Sequence, residues 1–374
     1  MLNPFVTSGY AGEEYFCDRV DETHKLVSFL TNENNVALIS PRRIGKTELI
    51  RHCFSQREIK DKYYTFVIDI YATNSIRDFV NIFGKTILNT LRSKGRKVWE
   101  SFLSVLSSLR SEITFDIDGR PTWSIGMGAI TNPMITLDEI FRYLDKADKP
   151  CIVAIDEFQQ ITRYNDNNIE ALLRTYIQKC TNAHFIFSGS RRTLMGEMFQ
   201  SPSRPFYQSV ILFNLSTIPL EKYREFAVHH FESNDKHLDS DVVEELYDRF
   251  NGITYYLQRV MNYMYMFTPK GGRASKDSVD TMINEILSDS HDTYQNLFMQ
   301  VPEKQRMVLL AIAKEDRVTS VSSGAFVRKY HLQSASTVLS AVKGLLERDL
   351  ITREGNIYMV YDILFRLWML REMQ

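Results

Sequence analysis

Cysteine is scarce in this sequence, and its spacing is not that of a metal or disulfide site. The 374 residues contain four cysteines, Cys17, Cys53, Cys151 and Cys180. No two of them form a CxxC pair, and Cys53 and Cys151 lie in apolar surroundings. The spacing therefore argues against a cysteine-ligated metal cluster and against a disulfide framework, and a reducing cytoplasm is the expected compartment.

Long apolar runs and an excess of one charge are also missing. No stretch approaches the roughly 18 apolar residues that a membrane-spanning helix needs, and the N-terminal segment lacks the basic start of a signal peptide. Forty-five Lys and Arg stand against 46 Asp and Glu, for a net charge of -1. We therefore expect no membrane partner and no chain-wide basic field for nucleic acid, although a local patch is compatible with this balance.

The sequence does contain an alternation of short apolar runs and helical patterns. The runs that resemble buried strands occupy residues 34–40, 62–71, 150–158 and 183–190. Because helical patterns separate them, this order predicts an α/β fold with a mostly parallel sheet. Residues 112–128 instead alternate apolar and polar positions around Asp118-Gly119, which predicts a hairpin inserted into the core.

The pattern changes after Pro219. Helical periodicity dominates residues 219–290, which predicts a small helical lid. Beyond it lie three helical segments, and residues 352–370 are interpreted as two short strands around a turn, the composition of a winged helix. We expect three domains: a core over 1–218, the lid over 219–290 and a winged-helix-like domain over 291–374.

The first predicted strand ends in a phosphate-loop pattern. It matches GxxxxGK[ST] with Ser40 in place of the first glycine, and it precedes a helix. Backbone N–H groups at such a helix start hold phosphates, Lys46 would neutralise them, and the Thr47 hydroxyl would ligate Mg²⁺. The loop predicted to bind ATP comprises Ser40, Pro41, Arg42, Arg43, Ile44, Gly45, Lys46 and Thr47.

A second strand ends in two acidic residues. CIVAIDEF (151–158) is an apolar run that closes with Asp156 and Glu157. Ligands of open α/β sheets bind at the carboxyl ends of the strands. We therefore expect Asp156 to hold the magnesium shell and Glu157 to orient or deprotonate the attacking water.

The next strand ends in FSGS, where a hydroxyl can contact the terminal phosphate or the attacking water. Ser188 and Ser190 are both candidates for this role. Several arginines could stabilise the negative charge on the phosphates, either in this chain or in a neighbouring subunit. A solvated basic turn explains their presence equally well, so both interpretations stay open. These arginines are Arg174, Arg191, Arg192 and Arg204.

Four motifs together resemble one known family. FCDR (16–19), PRRIGKT (41–47), IDEFQ (155–159) and FSGS (187–190) are similar to the archaeal-type ATPases of the AAA+/STAND superfamily of P-loop NTPases. The resemblance implies a P-loop core with a helical lid and a winged helix. It also implies that Asp18 and Arg19 lie near the adenine, and that a lid helix begins near Asn251-Gly252.

Three functions stay open at this point. The chain could be an ATP-driven switch that moves its lid and winged helix, a nucleotide-regulated DNA-binding protein, or a nucleotide-binding scaffold with little turnover. Residues 291–374 contain eleven Lys and Arg against nine Asp and Glu, and the candidate recognition helix, 334–349, is neutral. Because strong DNA modules usually have a basic face, a protein partner or self-association is favoured over DNA.

Overall fold

The computed structural model of the chain describes residues 3–108, 113–123, 130–165, 168–190 and 192–373. The described residues form two compact units. One is Val6–Tyr223, and the other contains the remaining described residues. None of the helices in these ranges combines the length and the apolar character that crossing a membrane requires.

The first unit is built on a five-stranded sheet in the order β2-β5-β6-β1-β7, in which every neighbouring pair is parallel. Its strands are β1 (Val36–Ile39), β2 (Tyr64–Asp69), β5 (Cys151–Asp156), β6 (Ala183–Gly189) and β7 (Ile211–Asn214). All residues of β1, β5 and β6 are buried. Strands covered on both faces need continuous apolar runs, which explains why these strands stand out in the sequence.

Helices connect the strands of this sheet. They are α1 (Val20–Thr31), α2 (Lys46–Ser55), α3 (Arg57–Lys60), α4 (Ile76–Arg92), α5 (Arg96–Val105), α6 (Pro133–Lys146), α7 (Ile169–Lys179) and α8 (Arg192–Gln200). Strand residues such as Phe66, Val153 and Phe185 join side chains of α4, α6 and α7 in one apolar cluster. The α/β class with a parallel sheet is thus confirmed, while β7 and α5 were not expected from the sequence.

A short antiparallel pair lies outside the main sheet. It consists of β3 (Ile113–Phe115) and β4 (Pro121–Trp123), with Gly119 in a left-handed conformation in the turn between them. The Trp123 ring packs so closely on α4 that a side chain at Gly84 would lie within 2.2 Å of it. Residues 124–128 and residue 112 of the expected hairpin lie outside the described residues.

The second unit is mainly helical. Its helices follow in chain order: α9 (Leu220–Glu232), α10 (Ser240–Arg249), α11 (Thr254–Phe267), α12 (Val279–Asp289), α13 (His291–Met299), α14 (Glu303–Glu315), α15 (Gly324–Lys329), α16 (Ala335–Glu347) and α17 (Ile363–Glu372). A two-residue parallel pair, β8 (His237–Leu238) with β9 (Arg273–Ala274), joins the loop before α10 to the loop after α11. The antiparallel wing is β10 (Ile351–Glu354) with β11 (Ile357–Val360).

The final segment differs from the expectation. The sequence was interpreted as two strands over 352–370, but the chain becomes helical after Val360, as α17. Asp362 caps this helix, because its carboxylate accepts hydrogen bonds from the backbone N–H groups of Leu364 and Phe365. Trp368 of α17 is fully buried, and its indole N–H donates to Nδ1 of His291 over 3.3 Å. The helix therefore completes the core of the winged helix.

Candidate nucleotide-binding site

The predicted phosphate loop leaves β1 and turns sharply into α2. Ser40 is fully buried, and it is not among the described residues with a positive φ, so this position does not require glycine. Arg43 and Gly45 are left-handed, with φ of 68° and 91°. Gly45 immediately precedes α2, where such a backbone is strained for most other residues. The turn leaves the first N–H groups of α2 without helical partners, which is the usual setting for an anion.

Lys46 and Thr47 open the helix. The Lys46 side chain is 6% exposed, and its Nζ donates to the carbonyl of Pro41 over 3.4 Å. Burial lowers the pKa of Lys46, and the nearby carboxylates of Asp156 and Glu157 oppose that change. The Thr47 hydroxyl donates to Oδ2 of Asp156 over 2.5 Å. Two residues that the sequence separates by more than a hundred positions are therefore in direct contact.

Asp156 has an acidic neighbour that the sequence analysis missed. Asp69 ends β2, and it is the register partner of Asp156 on β5. Burial raises the pKa of Asp69 and the charges of Asp156 and Glu157 raise it further, while a hydrogen bond from the backbone N–H of Tyr71 lowers it. The signal was available, because Asp69 also ends an apolar strand in the sequence.

Glu157 follows Asp156 in a left-handed conformation, with φ of 55°. The Ser190 hydroxyl lies 3.0 and 3.2 Å from its two carboxylate oxygens and donates to them. The Gln159 side-chain amide also donates to this carboxylate. The contact between Gln159 and Glu157 was not predicted from the sequence. It forms because the tight turn after β5 brings the Gln159 side chain back towards Glu157.

The two serines of FSGS have different surroundings. Ser188 is fully buried within β6, and its hydroxyl has no hydrogen-bond partner in the described part of the chain. Ser190 lies just beyond the strand and joins Glu157 to Arg42, whose Nε donates to the Ser190 hydroxyl over 2.9 Å. Between them, Gly189 leaves room for Gln159, because a Cβ there would lie 2.5 Å from Oε1 of the Gln159 side chain.

The segment expected near the adenine packs against the phosphate-loop helix. The Phe16 ring stacks on His52 of α2 with 4.2 Å between the ring centres, and burial lowers the pKa of His52. Asp18 and Arg19 are both left-handed. Arg19 is 2% exposed and donates to the carbonyls of Ile44 and Ser216 over 3.4 and 2.6 Å. A nucleotide contact of Asp18 or Arg19 therefore stays a prediction.

The candidate arginines are only partly described. Arg204 forms an ion pair with Glu170 of α7, and none of its described contacts is to the phosphate loop. Burial raises the pKa of Glu170, and Arg204 opposes this shift. The Nε of Arg174 is buried without a partner in the described ranges. Arg191 lies outside the described residues, as does the side chain of Arg192.

The oxygen atoms of Thr47 and Asp156 suit a magnesium ion that is bound together with phosphate. Oxygen ligands suit Mg²⁺, which keeps several waters and takes one or two protein ligands plus phosphate oxygens. Thr47 and Asp156 supply a hydroxyl and a carboxylate at one point. Among the described residues, no group of three or more His, Cys, Asp or Glu side chains is arranged to hold a metal alone.

Comparison with protein families identifies the core of the chain. The family described as the ATPase domain predominantly from Archaea matches residues 16–260, well over half of the sequence. The chain belongs to this family. Residues 292–371 also match the family described as a probable winged helix domain. The family resemblance and the C-terminal winged helix predicted from the sequence are thus confirmed.

One curated relative of this ATPase-family protein is distant in sequence. An uncharacterized ATP-binding protein of Methanocaldococcus jannaschii is 28% identical over 163 residues, which are 39% of this chain and 43% of that protein. The match thus spans less than half the length of that relative.

Solved structures resemble nearly the whole chain. A Walker-type ATPase of Pyrococcus abyssi has a TM-score of 0.65 at 17% identity, over 98% of this chain and 99% of its own. The ORC2 protein of Aeropyrum pernix in its ADPNP-ADP complexes has a TM-score of 0.57 at 12% identity. The match covers 100% of this chain and 98% of that protein's chain. The ORC1 protein of the same organism in complex with DNA has a TM-score of 0.55 at 12% identity. The match covers 96% of this chain and 94% of that protein's chain. At these identities the likeness is one of fold.

Proposed function

We propose that this chain binds ATP with Mg²⁺, hydrolyses it, and acts as a switch whose lid and winged helix respond to the bound nucleotide. The observation that carries the proposal is the contact between Thr47 on the phosphate loop and Asp156 at the end of β5. Membership of an ATPase-domain family supports it, as does a relative named as ATP-binding. The boundaries of the lid and of the winged-helix domain are part of this proposal.

Each polar residue of the site has a distinct role in this reaction. Bound Mg²⁺ would neutralise charge on the phosphates and orient them for attack. Lys46 adds a buried positive charge, and Thr47 with Asp156 would hold the cation. Glu157 accepts a proton from water as that water attacks the terminal phosphate, and Ser190 with Gln159 orients the carboxylate.

Replacing Thr47 by valine tests the magnesium site. Thr47→Val keeps the side-chain shape but removes the hydroxyl that contacts Asp156. Mg²⁺ should raise the ATP affinity of this variant on the order of tenfold less than it raises that of the wild type, because loss of a group that supports a metal typically costs about 10–100-fold in metal affinity. Calorimetric titration of ATP with Mg²⁺ and with EDTA measures this gain.

A second threonine provides the matched control. Thr90 lies in α4, and within the described ranges its hydroxyl donates to the carbonyl of Thr86 alone, over 2.8 Å. Thr90→Val should keep the full magnesium effect. If Thr47→Val keeps it as well, Thr47 is not a ligand and the proposed metal site is wrong.

A DNA-binding role is the second candidate, because a probable winged helix domain is present. Its recognition helix, α16, buries Val338, Val342 and Leu345 and exposes Ser340 and Lys343. Leu339 on the same helix is 51% exposed. The outer surface of α16 therefore combines apolar and polar side chains with a single lysine, which favours a protein partner or self-association over the DNA backbone.

Two other cations of the domain, Lys329 and Arg353, already have partners within it. Lys329 forms an ion pair with Glu315 over 2.5 Å, and Arg353 donates to the carbonyl of Gly355 over 2.8 Å. In contrast, Lys343 and Glu347, which lie one turn apart on α16, form no ion pair with each other in the described part of the chain. This leaves Lys343 as a cation on the exposed side of α16.

The full chain should therefore bind random duplex DNA only weakly. We expect a Kd no tighter than the roughly 10⁻⁴–10⁻⁶ M of non-specific phosphate contacts at physiological salt. Fluorescence anisotropy at two salt concentrations measures it, with and without ATP. Nanomolar binding with a steep salt dependence, lost when Arg328, Lys329 and Arg353 are all changed to alanine, would contradict this expectation and favour the DNA-binding function.

A further inference from the structure

Asp69 lies at the carboxyl end of β2, beside the strand that ends in Asp156. β2 and β5 are parallel neighbours in the sheet, and Asp69 is the register partner of Asp156. Side chains of register partners point to the same side of a sheet, and neighbouring strands lie about 4.8 Å apart. The two carboxylates therefore leave the same edge of the sheet on the same side, one strand apart.

The order of the strands places Asp69 farther from the phosphate loop than Asp156. The loop follows β1, and β5 and β6 separate β2 from that strand. Asp156 accepts a hydrogen bond from the Thr47 hydroxyl over 2.5 Å. A cation that Thr47 and Asp156 hold would thus lie about one strand spacing from Asp69. This is beyond the roughly 2.1 Å of a direct Mg–O bond but within reach through one water.

The Asp69 side chain suits a contact with such a water. Asp69 is exposed, whereas Asp156 is 8% exposed. Oδ1 of Asp69 accepts a hydrogen bond from the backbone N–H of Tyr71 over 2.9 Å, which orients the carboxylate. Mg²⁺ keeps several of its waters in protein sites, and groups outside the first shell of a metal hold its ligands in place by hydrogen bonds.

The carboxylate of Asp69 has two opposite effects on a triphosphate. Together with Asp156 and Glu157 it brings negative charge to the ends of two adjacent strands, which repels the phosphates of free ATP. Once a cation lies between the carboxylates and the phosphates, the same charge attracts the cation. A carboxylate in this position therefore weakens the binding of free ATP and strengthens the binding of ATP with Mg²⁺.

We propose that Asp69 is a positioning residue for magnesium, and that its carboxylate accepts a hydrogen bond from a water of the ion held by Thr47 and Asp156. The inference rests on the proposed function, because it assumes that nucleotide and Mg²⁺ bind at the phosphate loop. It adds the end of β2 to a site otherwise formed by the loop, β5 and β6. Asp69 then makes the chain select the magnesium complex of ATP over free ATP.

Asp69→Asn tests the inference by binding alone. Asparagine keeps the size of the side chain and an oxygen that can accept from the Tyr71 N–H, but it has no negative charge. In EDTA, the variant should bind the non-hydrolysable β,γ-imido analogue of ATP about two- to fivefold more tightly than the wild type does, because a repulsion is removed. With Mg²⁺ the order should reverse, since the gain in affinity that Mg²⁺ gives should fall by about tenfold or more. Calorimetric titration under both conditions measures the reversal.

Manganese gives a direct measurement of the metal. Mn²⁺ takes the same oxygen ligands as Mg²⁺, and the electron paramagnetic resonance signal of the free ion falls as it binds. Mn²⁺ is titrated into protein saturated with the imido analogue. Asp69→Asn should weaken the binding of Mn²⁺ by about 10- to 100-fold.

Two further variants separate this role from others. Asp61 is exposed and precedes β2, at the opposite end of the same strand, so Asp61→Asn removes the same charge away from the loop. This control should keep the wild-type affinities for the analogue and for Mn²⁺. Asp69→Ala removes both the charge and the acceptor for Tyr71, and it should match Asp69→Asn. If Asp69→Ala weakens Mn²⁺ binding and Asp69→Asn does not, Asp69 only shapes the turn and the inference is overturned.

The failures are distinguishable. If the wild type binds no analogue under either condition, the proposed function is wrong and this inference falls with it. If the wild type shows a magnesium gain that Asp69→Asn keeps in full, the inference alone is overturned and nucleotide binding stands. Thermal melting without ligand checks that each variant is folded. Should Asp69→Asn melt below the temperature of the titrations, Asp69→Ser, whose hydroxyl can also accept from Tyr71, decides the matter.

Discussion

Lys46→Ala is expected to weaken ATP binding by about a hundredfold or more. The ammonium group is buried beside Asp156 and Glu157, so its removal leaves two carboxylates facing an incoming triphosphate without a compensating charge. Truncating one member of a buried charge pair costs about 2–5 kcal/mol, and each 1.4 kcal/mol is tenfold in affinity. Because burial already disfavours the charged lysine in the empty chain, the folded state itself should lose little stability.

Calorimetry with Mg²⁺ and ATP measures the change in affinity, and thermal melting without nucleotide measures stability. Lys60, an exposed lysine of α3, provides the control, since Lys60→Ala removes the same charge outside the loop. Equal ATP affinity for the wild type and Lys46→Ala would show that the nucleotide does not bind at this loop.

Glu157→Gln should separate binding from turnover. The amide keeps the size of the side chain but cannot accept the proton of the attacking water, so hydrolysis should fall by roughly 10²–10⁴-fold. ATP affinity should change by less than about threefold, because Lys46, Thr47 and Asp156 are untouched. The glutamine oxygen can still accept the hydrogen bond from the Ser190 hydroxyl. Its N–H₂ group, however, faces the donating amide of Gln159, so the hydrogen bond from Gln159 is lost.

Single-turnover phosphate release and retention of ATP on gel filtration measure the two properties separately. Glu197→Gln is the matched control, since Glu197 is an exposed carboxylate of α8. Unchanged turnover in Glu157→Gln would remove Glu157 as the base. A wild type that binds ATP but shows no turnover at any protein concentration would instead be a nucleotide-binding scaffold.

The residues of the candidate site differ in how far the sequence specifies them. Lys46, Thr47, Asp156 and Glu157 were predicted because each belongs to a contiguous motif at the end of a predicted strand. The contacts of Ser190 and Arg42 could not be predicted, since they are 148 positions apart. They meet because β6 pairs with β1 in one particular register, with Gly189 opposite Ile39. Register depends on the packing of the whole sheet, and short motifs contain little information about it.

The same reasoning applies to the fold. Strands β5 and β6 were recognised because their continuous apolar runs are buried along their whole length. Strand β7 was missed because it is a short edge strand whose residues alternate between half-buried and exposed, so it has no continuous buried run. Helix α17 was mistaken for a strand because residues 357–370 are almost uniformly apolar and aromatic, so neither periodicity is visible. Its capping residue, Asp362, was the available signal.

Arg19 connects the phosphate loop by hydrogen bonds to the segment that follows β7. One guanidinium group holds the carbonyl of Ile44 within the loop and the carbonyl of Ser216 just beyond β7. The hydrogen bond to Ser216 is short, at 2.6 Å, and the one to Ile44 is long, at 3.4 Å, so the buried guanidinium holds the Ser216 carbonyl more firmly than the Ile44 carbonyl. A displacement of the loop at Ile44 would therefore act on the segment that follows β7 through one side chain.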